Sequence, residues 1–518
     1  MTQNRRIVLN IVATYGRSLY ALVLGLFTAR WTLMALGQED YGLFGLVGGL
    51  TAFVTFFNSV LSSAVGRFYA VNVGAAKKIG NAVLGLENCR KWFNTALLIH
   101  SVLPVALVAI GYPLGIWAIG HFLTVPPDRI SACVWVWRFT CVACFFGMVN
   151  VPFQAMYTAK QEIAELTIYS FVTTTLNVVF VYYMVCHSND WLARFSAFTC
   201  LLSVVPQLII AIRAVVKYPE CRLSMEFLWD KQRNIEIFKF AFARFWSEFA
   251  GMVSSQGRSI LVNKYMGPIY NASMTVGNSV ASHALSLSNS LSGALWPAVA
   301  NKAGEGEVEA VRKLSFVACR VGTVLVLLFA IPLAIEIKEV LHIWLVNPPP
   351  FAEIVCLSVL LVFVMERMTD GYWMAIMGEG RGVMTYGWWV GWSGIVMVGS
   401  AWILFALGFG MWSVCIGLMT GKIYTVLVRL FVGRLYVAFS VFYWIRMVLI
   451  PIVVAMLVSL AAGLGVIFVA PPSWVRVIGT TLICELVFLP AIWHLVLEDS
   501  EKDILKDRIL KKITVFKR

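Results

Sequence analysis

The chain has 518 residues, of which 60% are hydrophobic and only 13% charged, with a net charge of +14. A mean hydropathy of +0.80 over that length is too high for one buried core and points to many membrane spans. It leaves no loop long enough for a water-soluble catalytic domain. The positive charge does not mark a nucleic-acid binder, because it gathers in alternate loops, as topology-setting charge does.

The first residues, MTQNRR, lead into a long apolar run without a small-residue cleavage site, which reads as a cytoplasmic N-terminus and a first span rather than a signal peptide. Apolar windows of span length then fall near 12–36, 41–66, 93–120, 131–155, 165–186, 191–215, 238–263, 270–299, 315–335, 351–375, 383–407, 411–432, 443–470 and 474–497. With the N-terminus inside, roughly 28 Lys and Arg residues fall in inner segments and about five in outer ones. Arg429 counts among the inner charges and Arg476 among the outer. The C-terminus is then cytoplasmic as well.

Residues 34–50, MALGQEDYGLFGLVGGL, place Gly37 as the left-handed end of span 1. Gln38, Glu39 and Asp40 read as the outer turn, with the two acids at the N-terminus of span 2, where the helix dipole favours them. On span 2, Gly42, Gly45 and Gly49 fall within about 60° of each other and form a smooth face for close helix approach. Residues 267–307 repeat this unit. Gly267 again precedes a span rich in small residues, and an inner segment with Asn301-Lys302-Ala303-Gly304 matches Asn72-Val73-Gly74. The copies lie six spans apart, so both halves enter the membrane in the same sense, a parallel repeat. The expected fold is therefore all-α and polytopic, with about 14 transmembrane helices in two parallel six-helix bundles plus two extra C-terminal helices. Residues 1–215 form the first bundle, 216–237 a basic cytoplasmic linker, 238–435 the second bundle and 436–497 the last two spans. The tail, 498–518, sets Ile504, Leu505, Leu510, Ile513 and Phe516 among charges and reads as an amphipathic helix on the inner leaflet. Parallel halves around a central cavity are a transporter architecture.

The segment ARWTLMALGQEDYGLFGLVGGLTAFVTFFNSVLSSAVGRFYAVNVGAAKK resembles the first repeat of Wzx-type polysaccharide flippases. These belong to the multidrug/oligosaccharidyl-lipid/polysaccharide (MOP) exporter superfamily. GRSILVNKYMG is similar to the family's seventh-span pattern, and ALWPAVANKAGEGEVEAVRKL to its eighth-span exit. The sequence departs from the pattern at Gly257, where the family often has Asp before the arginine, and at Tyr270-Asn271-Ala272, which replaces a Gly-x-Tyr. No cation site is read at Gly257. The resemblance implies a flippase that moves undecaprenyl-diphosphate-linked oligosaccharide from the inner to the outer leaflet of a bacterial cytoplasmic (inner) membrane, with no catalysis and no cofactor. It is expected to act as a monomeric transport unit beside a polysaccharide polymerase and a chain-length regulator.

Such a cargo sets a physical requirement. Each unpartnered hydroxyl costs about 4–8 kcal/mol to move from water into hydrocarbon, so a path lined with polar and cationic groups is needed. On span 8, Asn271, Thr275, Asn278, Ser282, Ser286 and Asn289 lie within about 80° and run for about 27 Å, flanked by His283. This stripe of donors and acceptors suits sugar hydroxyls; packing between helices is the plainer use of such residues. On span 7, Arg244 and Glu248 are i,i+4 partners. Arg258 has no acid at helical spacing, and an arginine at that depth is a candidate for the diphosphate; snorkelling is its alternative. Arg17 and Arg30 on span 1 and Arg138 on span 4 are further candidates for the anionic head. Arg320 is a further buried charge, on span 9. Glu366 and Asp370, i,i+4 on span 10 beside Arg367, and Glu248 are candidates for ion coupling, against a purely structural ion-pair network. Glu485 on span 14 is placed to face a groove for a lipid tail. Trp135, Trp137, Trp388, Trp389 and Trp392 suit either sugar stacking or the interfacial belt. Cys141 and Cys144 form a CxxC inside a span, where cysteine acts as a small hydrophobe, and no metal set is read. Two other readings stay open: a cation-coupled drug exporter of the same superfamily, which calls for an acid-rich cavity, and a membrane glycosyltransferase or polymerase, which calls for a catalytic loop.

Overall fold

A computed structural model describes residues 3–50, the positions Phe56, Asn58, Leu61, Val65 and Tyr69, and residues 82–160, 162–280, 299, 302–303, 307–380, 382–499 and 501–502. These residues are helical throughout, with short turns and no strand among them. Nine of the described helices are long and apolar enough to cross a membrane. The protein is an all-α, multi-pass membrane protein with about 14 transmembrane helices.

The chain divides into two compact units. The first comprises Met1–Ser279, Pro348–Ala352 and Gly391–Gly417; the second comprises Val280–Asn347, Glu353–Val390 and Leu418–Arg518.

In the first unit, α1 (Gln3–Gly49) continues across Gly37, whose φ of 76° and ψ of 172° interrupt the helix. The expected three-residue turn is not there: Gln38, Glu39 and Asp40 are already helical. Gly37 is not in the left-handed helical region either. Its positive φ with ψ near 180° is open essentially to glycine alone, and it reorients the chain in one residue, so no further turn residues are needed. Gly267 does the same after the helix Lys231–Met266, with φ 99° and ψ 176°. The two copies of the repeat thus share one backbone device.

Next come α2 (Ala82–Trp117), α3 (Ile130–Val149), α4 (Val151–Ala159), α5 (Ile163–Cys186) and α6 (Leu192–Lys217). Aromatic pairs seat α1 on α5, Tyr20 against Phe171 at 5.0 Å and Trp31 against Tyr182 at 5.1 Å between centroids. Trp137 of α3 fills the space over Gly115 of α2 and donates its Nε1–H to the Tyr112 carbonyl at 3.1 Å. Trp137 is thus a packing residue, as is buried Cys141. After the linker, α7 (Lys231–Met266) starts at Asp230, whose side chain accepts from the Arg233 N–H, and leads through Gly267 into α8, residues 268–280.

The second unit is built on α9 (Val308–Ile335). Its apolar window is 61% buried, against 11% for that of α5, so α9 is enclosed by protein rather than lipid. Short α10 (Ile337–Leu345), α11 (Ala352–Arg367), α12 (Asp370–Glu379) and α13 (Val383–Val390) follow. Then come α14 (Ser393–Ala406), which belongs to the first unit, and α15 (Trp412–Tyr436). The last two spans, α16 (Val441–Val469) and α17 (Trp474–Val496), complete the chain's described helices. Phe316, Tyr372, Phe439, Trp444 and Phe488 are buried in one core around α9.

Candidate functional site

The glycine face predicted on span 2 meets α8. A Cβ on Gly42 would lie 2.1 Å from the Pro268 carbonyl oxygen, and one on Gly45 2.4 Å from Thr275 Oγ1. One on Gly49 would lie 2.5 Å from Gln256 Oε1 of α7. Without side chains at these positions, two backbones come into contact. Asn263, fully buried at the end of α7, adds a two-point clamp: its Nδ2 donates to the Thr124 carbonyl at 3.0 Å and its Oδ1 accepts from the Thr124 N–H at 2.7 Å. Arg129 lies between Asp40 Oδ1 at 3.3 Å and Asp190 Oδ2 at 3.2 Å. Burial pushes the Asp40 carboxyl above its ordinary value, while the Arg129 charge opposes the rise.

This contact divides the predicted polar stripe. At the Gly267 end, Asn271 is only 2% exposed and both of its side-chain polar atoms are buried without a partner among the described residues. Thr275 is half-buried against Gly45 and returns its hydroxyl to the Asn271 carbonyl. One turn further, Asn278 is exposed. Its Oδ1 accepts from Arg258 Nη2 at 2.8 Å. Arg258 thus meets the stripe, and its Nε is buried without a partner among the described residues. No carboxylate pairs with it among the described residues. An arginine tethered by one neutral amide, with a donor to spare, is set up to bind an anion. Gly257 beside it is filled by Val398 of α14, 2.6 Å from a would-be Cβ. An Asp there would collide with α14.

Ser282, His283, Ser286 and Asn289 lie outside the described residues, as does the side chain of Arg244. Glu248 is half-buried, Arg17 exposed and Arg30 half-buried. Arg138 is exposed; its Nε donates to Tyr112 Oη at 3.0 Å and its guanidinium covers the Trp135 ring at 4.7 Å. Its described partners are therefore aromatic neighbours.

Glu366 and Asp370 join a larger cluster. Arg367 Nη1 reaches Asp370 Oδ2 at 2.8 Å, and Lys422 Nζ reaches Glu366 Oε2 at 3.1 Å. Arg429 spans both acids, 3.6 Å from Glu366 Oε1 and 3.8 Å from Asp370 Oδ1, and donates to Tyr386 Oη at 3.3 Å. Arg429 is therefore not a loop charge but a buried member of α15. The sequence reading overlooked Lys422, whose partner acid is on another helix. Its one signal was a lysine seven residues before Arg429, which puts both on one face. Arg476 is also buried rather than a loop charge, in a two-point pair with Glu336, Nη2 to Oε2 at 2.8 Å. Arg320 is 2% exposed and bridges Glu498 at 2.7 Å and Glu501 at 2.8 Å.

Among the described residues, the Glu366 cluster gathers three cations around two acids, and Arg258 has no acid partner. No group of three or more His, Cys, Asp or Glu residues that could hold a metal occurs among the described residues.

The fold is similar to that of several solved structures. The solved lipid II flippase MurJ, in an inward closed conformation, matches with a TM-score of 0.69 at 13% identity, over 93% of this chain and 98% of that one. An inward-facing multidrug-resistance MATE transporter of the MOP superfamily matches with a TM-score of 0.59 at 15% identity, over 83% of this chain and 98% of that one. A MOP-superfamily transporter from Pyrococcus furiosus, described as having a binding pocket of reversed polarity, matches at 0.52 and 16% identity, over 84% of this chain and 94% of that one. No protein-family model and no curated protein matches the sequence.

Proposed function

We propose that the protein is a Wzx-type flippase that carries undecaprenyl-diphosphate-linked oligosaccharide across the bacterial inner membrane by alternating access of two six-helix bundles. The observation that carries this reading is Arg258. It is an arginine without a carboxylate among the described residues, tethered to an exposed asparagine, with an unused donor. The diphosphate binds at Arg258, with Arg244, Arg17, Arg30 and Arg138 as further cationic positions. The sugar hydroxyls exchange water for the amides and hydroxyls of Asn271, Asn278, Ser282, Ser286 and Asn289, and for His283. The lipid tail stays in the bilayer. An ion gradient resets the cycle through Glu248, Glu366 or Asp370, each charge moved contributing about 2.3 kcal/mol per 100 mV.

The similarity to MurJ supports a lipid-linked cargo in a second way. Its match covers 93% of the chain against 83% for the MATE transporter. The drug-exporter reading draws on the same fold, but an organic cation calls for an acid-rich cavity, whereas Arg258 meets no carboxylate among the described residues. A vesicle assay separates the two. Reconstituted protein is given a lipid-linked oligosaccharide and, in parallel, a cationic dye. Movement of the oligosaccharide supports the flippase; movement of the dye alone favours the exporter.

A further inference from the structure

By sequence, the linker between α6 and α7 is a basic interruption between apolar spans. In the structure it is a braced platform. Cys221 and Glu220 are buried, and Glu220 pairs with Lys160. Fully buried Asn94 of α2 holds the backbone at two points: its Nδ2 donates to the Arg222 carbonyl at 3.2 Å and its Oδ1 accepts from the Ser224 N–H at 2.8 Å. Thr95 donates to the Phe227 carbonyl at 3.4 Å, and Arg90 to the carbonyls of Arg222 at 3.2 Å and Leu223 at 3.3 Å. Arg90 and Lys91 also cover the Phe227 ring.

One side of this segment is spent on α2. The other holds large apolar side chains away from the protein: Leu223 is 55% exposed, Met225 78% and Trp229 72%. A water-facing loop braced by a fully buried asparagine has no reason to display three such groups.

Depth explains them. The α2 helix continues as a π-helical turn over Ala118–Phe122, and the helical segment that holds its candidate span, Leu86–Phe122, is 37 residues long, or about 55 Å at 1.5 Å per residue. A bilayer with its headgroups is about 40–45 Å thick, so the helix overshoots by about 10 Å. Glu87, Arg90 and Lys91 mark the overshooting end, and Trp92 follows them. The anchor residues of the linker, Arg90 to Thr95, therefore lie at headgroup level. Charge points the same way. Glu220 and Asp230 are paired within the protein. Arg222 and Lys231 are exposed against the single exposed acid Glu226.

We propose that residues 222–231 form an inner-leaflet membrane anchor. Leu223, Met225 and Trp229 insert among the headgroups, and Arg222 and Lys231 select anionic phospholipid.

The test uses the full chain in nanodiscs. Cys186, the one exposed cysteine, is replaced by serine, and an environment-sensitive dye is attached at Met225→Cys or, as a second position, Trp229→Cys. Shallow spin-labelled lipid should quench both dyes and aqueous iodide should not. Quenching by spin-labelled phosphatidylglycerol should exceed that by spin-labelled phosphatidylcholine. Arg222→Gln or Lys231→Gln should each lower that preference about fivefold, the equivalent of one basic residue at a membrane surface. Dyes quenched by iodide and untouched by lipid spin labels at both positions overturn the anchor. Lipid quenching with no anionic preference overturns the role of Arg222 and Lys231.

Discussion

Gly42 and Gly48 share a helix and make opposite predictions. A Cβ at Gly42 would strike the Pro268 carbonyl, whereas one at Gly48 meets nothing within 4 Å. Gly42→Ala is expected to destabilise by about 1–3 kcal/mol, as overpacking does, and Gly48→Ala to be neutral or to stabilise by up to about 1 kcal/mol. Melting temperatures of the purified variants check both. Arg258 is the corresponding residue for function. A charge-assisted hydrogen bond contributes about 1.5–3 kcal/mol, so Arg258→Ala should weaken binding of the lipid-linked head about 10- to 100-fold and leave membrane insertion intact. Full transport by that variant removes it from the site. Asp40 supplies a pH signature. Its folded value is raised above 3.8, so its stabilising contribution is present below that value and lost as pH rises through the folded one. Asp40→Asn should flatten that part of a stability-versus-pH curve. An unchanged slope would assign it to other groups.

Between elements, a buried ion pair ties α9 to α17 in the second unit. Glu336, 1% exposed at the end of α9, accepts from Arg476 Nε and Nη2 and from Thr480 of α17. Removing one partner of a buried pair costs about 3–5 kcal/mol, because the other charge is left uncompensated. Arg476→Ala should therefore lower stability by that amount, and the double change Glu336→Leu with Arg476→Met by much less. Equal losses for single and double variants would show that the pair is not coupled. The helices themselves were legible in the sequence from apolar length, and the repeat from Gly37 and Gly267. The ion pairs were not. Glu336 and Arg476 stand 140 residues apart, and helical spacing sees only partners on the same helix. Arg367 with Asp370, three apart, was legible for that reason; Lys422 and Arg429, on another helix, were not.

For the whole molecule, the sequence indicated a polar stripe but not how it is used along its length. Helical periodicity puts Asn271, Thr275 and Asn278 on one face alike; only the approach of Gly42 and Gly45 decides that the first is sealed and the last open. The account rests on Asn278 and Arg258 forming the open mouth of a wet path that receives an anionic sugar head. Chemical labelling of Asn278→Cys by a membrane-impermeant thiol reagent tests this most directly. The account predicts rapid labelling from the aqueous phase, slowed by added undecaprenyl-diphosphate-linked oligosaccharide and unaffected by a cationic dye. A cysteine that stays inert from both sides, or one that the oligosaccharide does not protect, would contradict it.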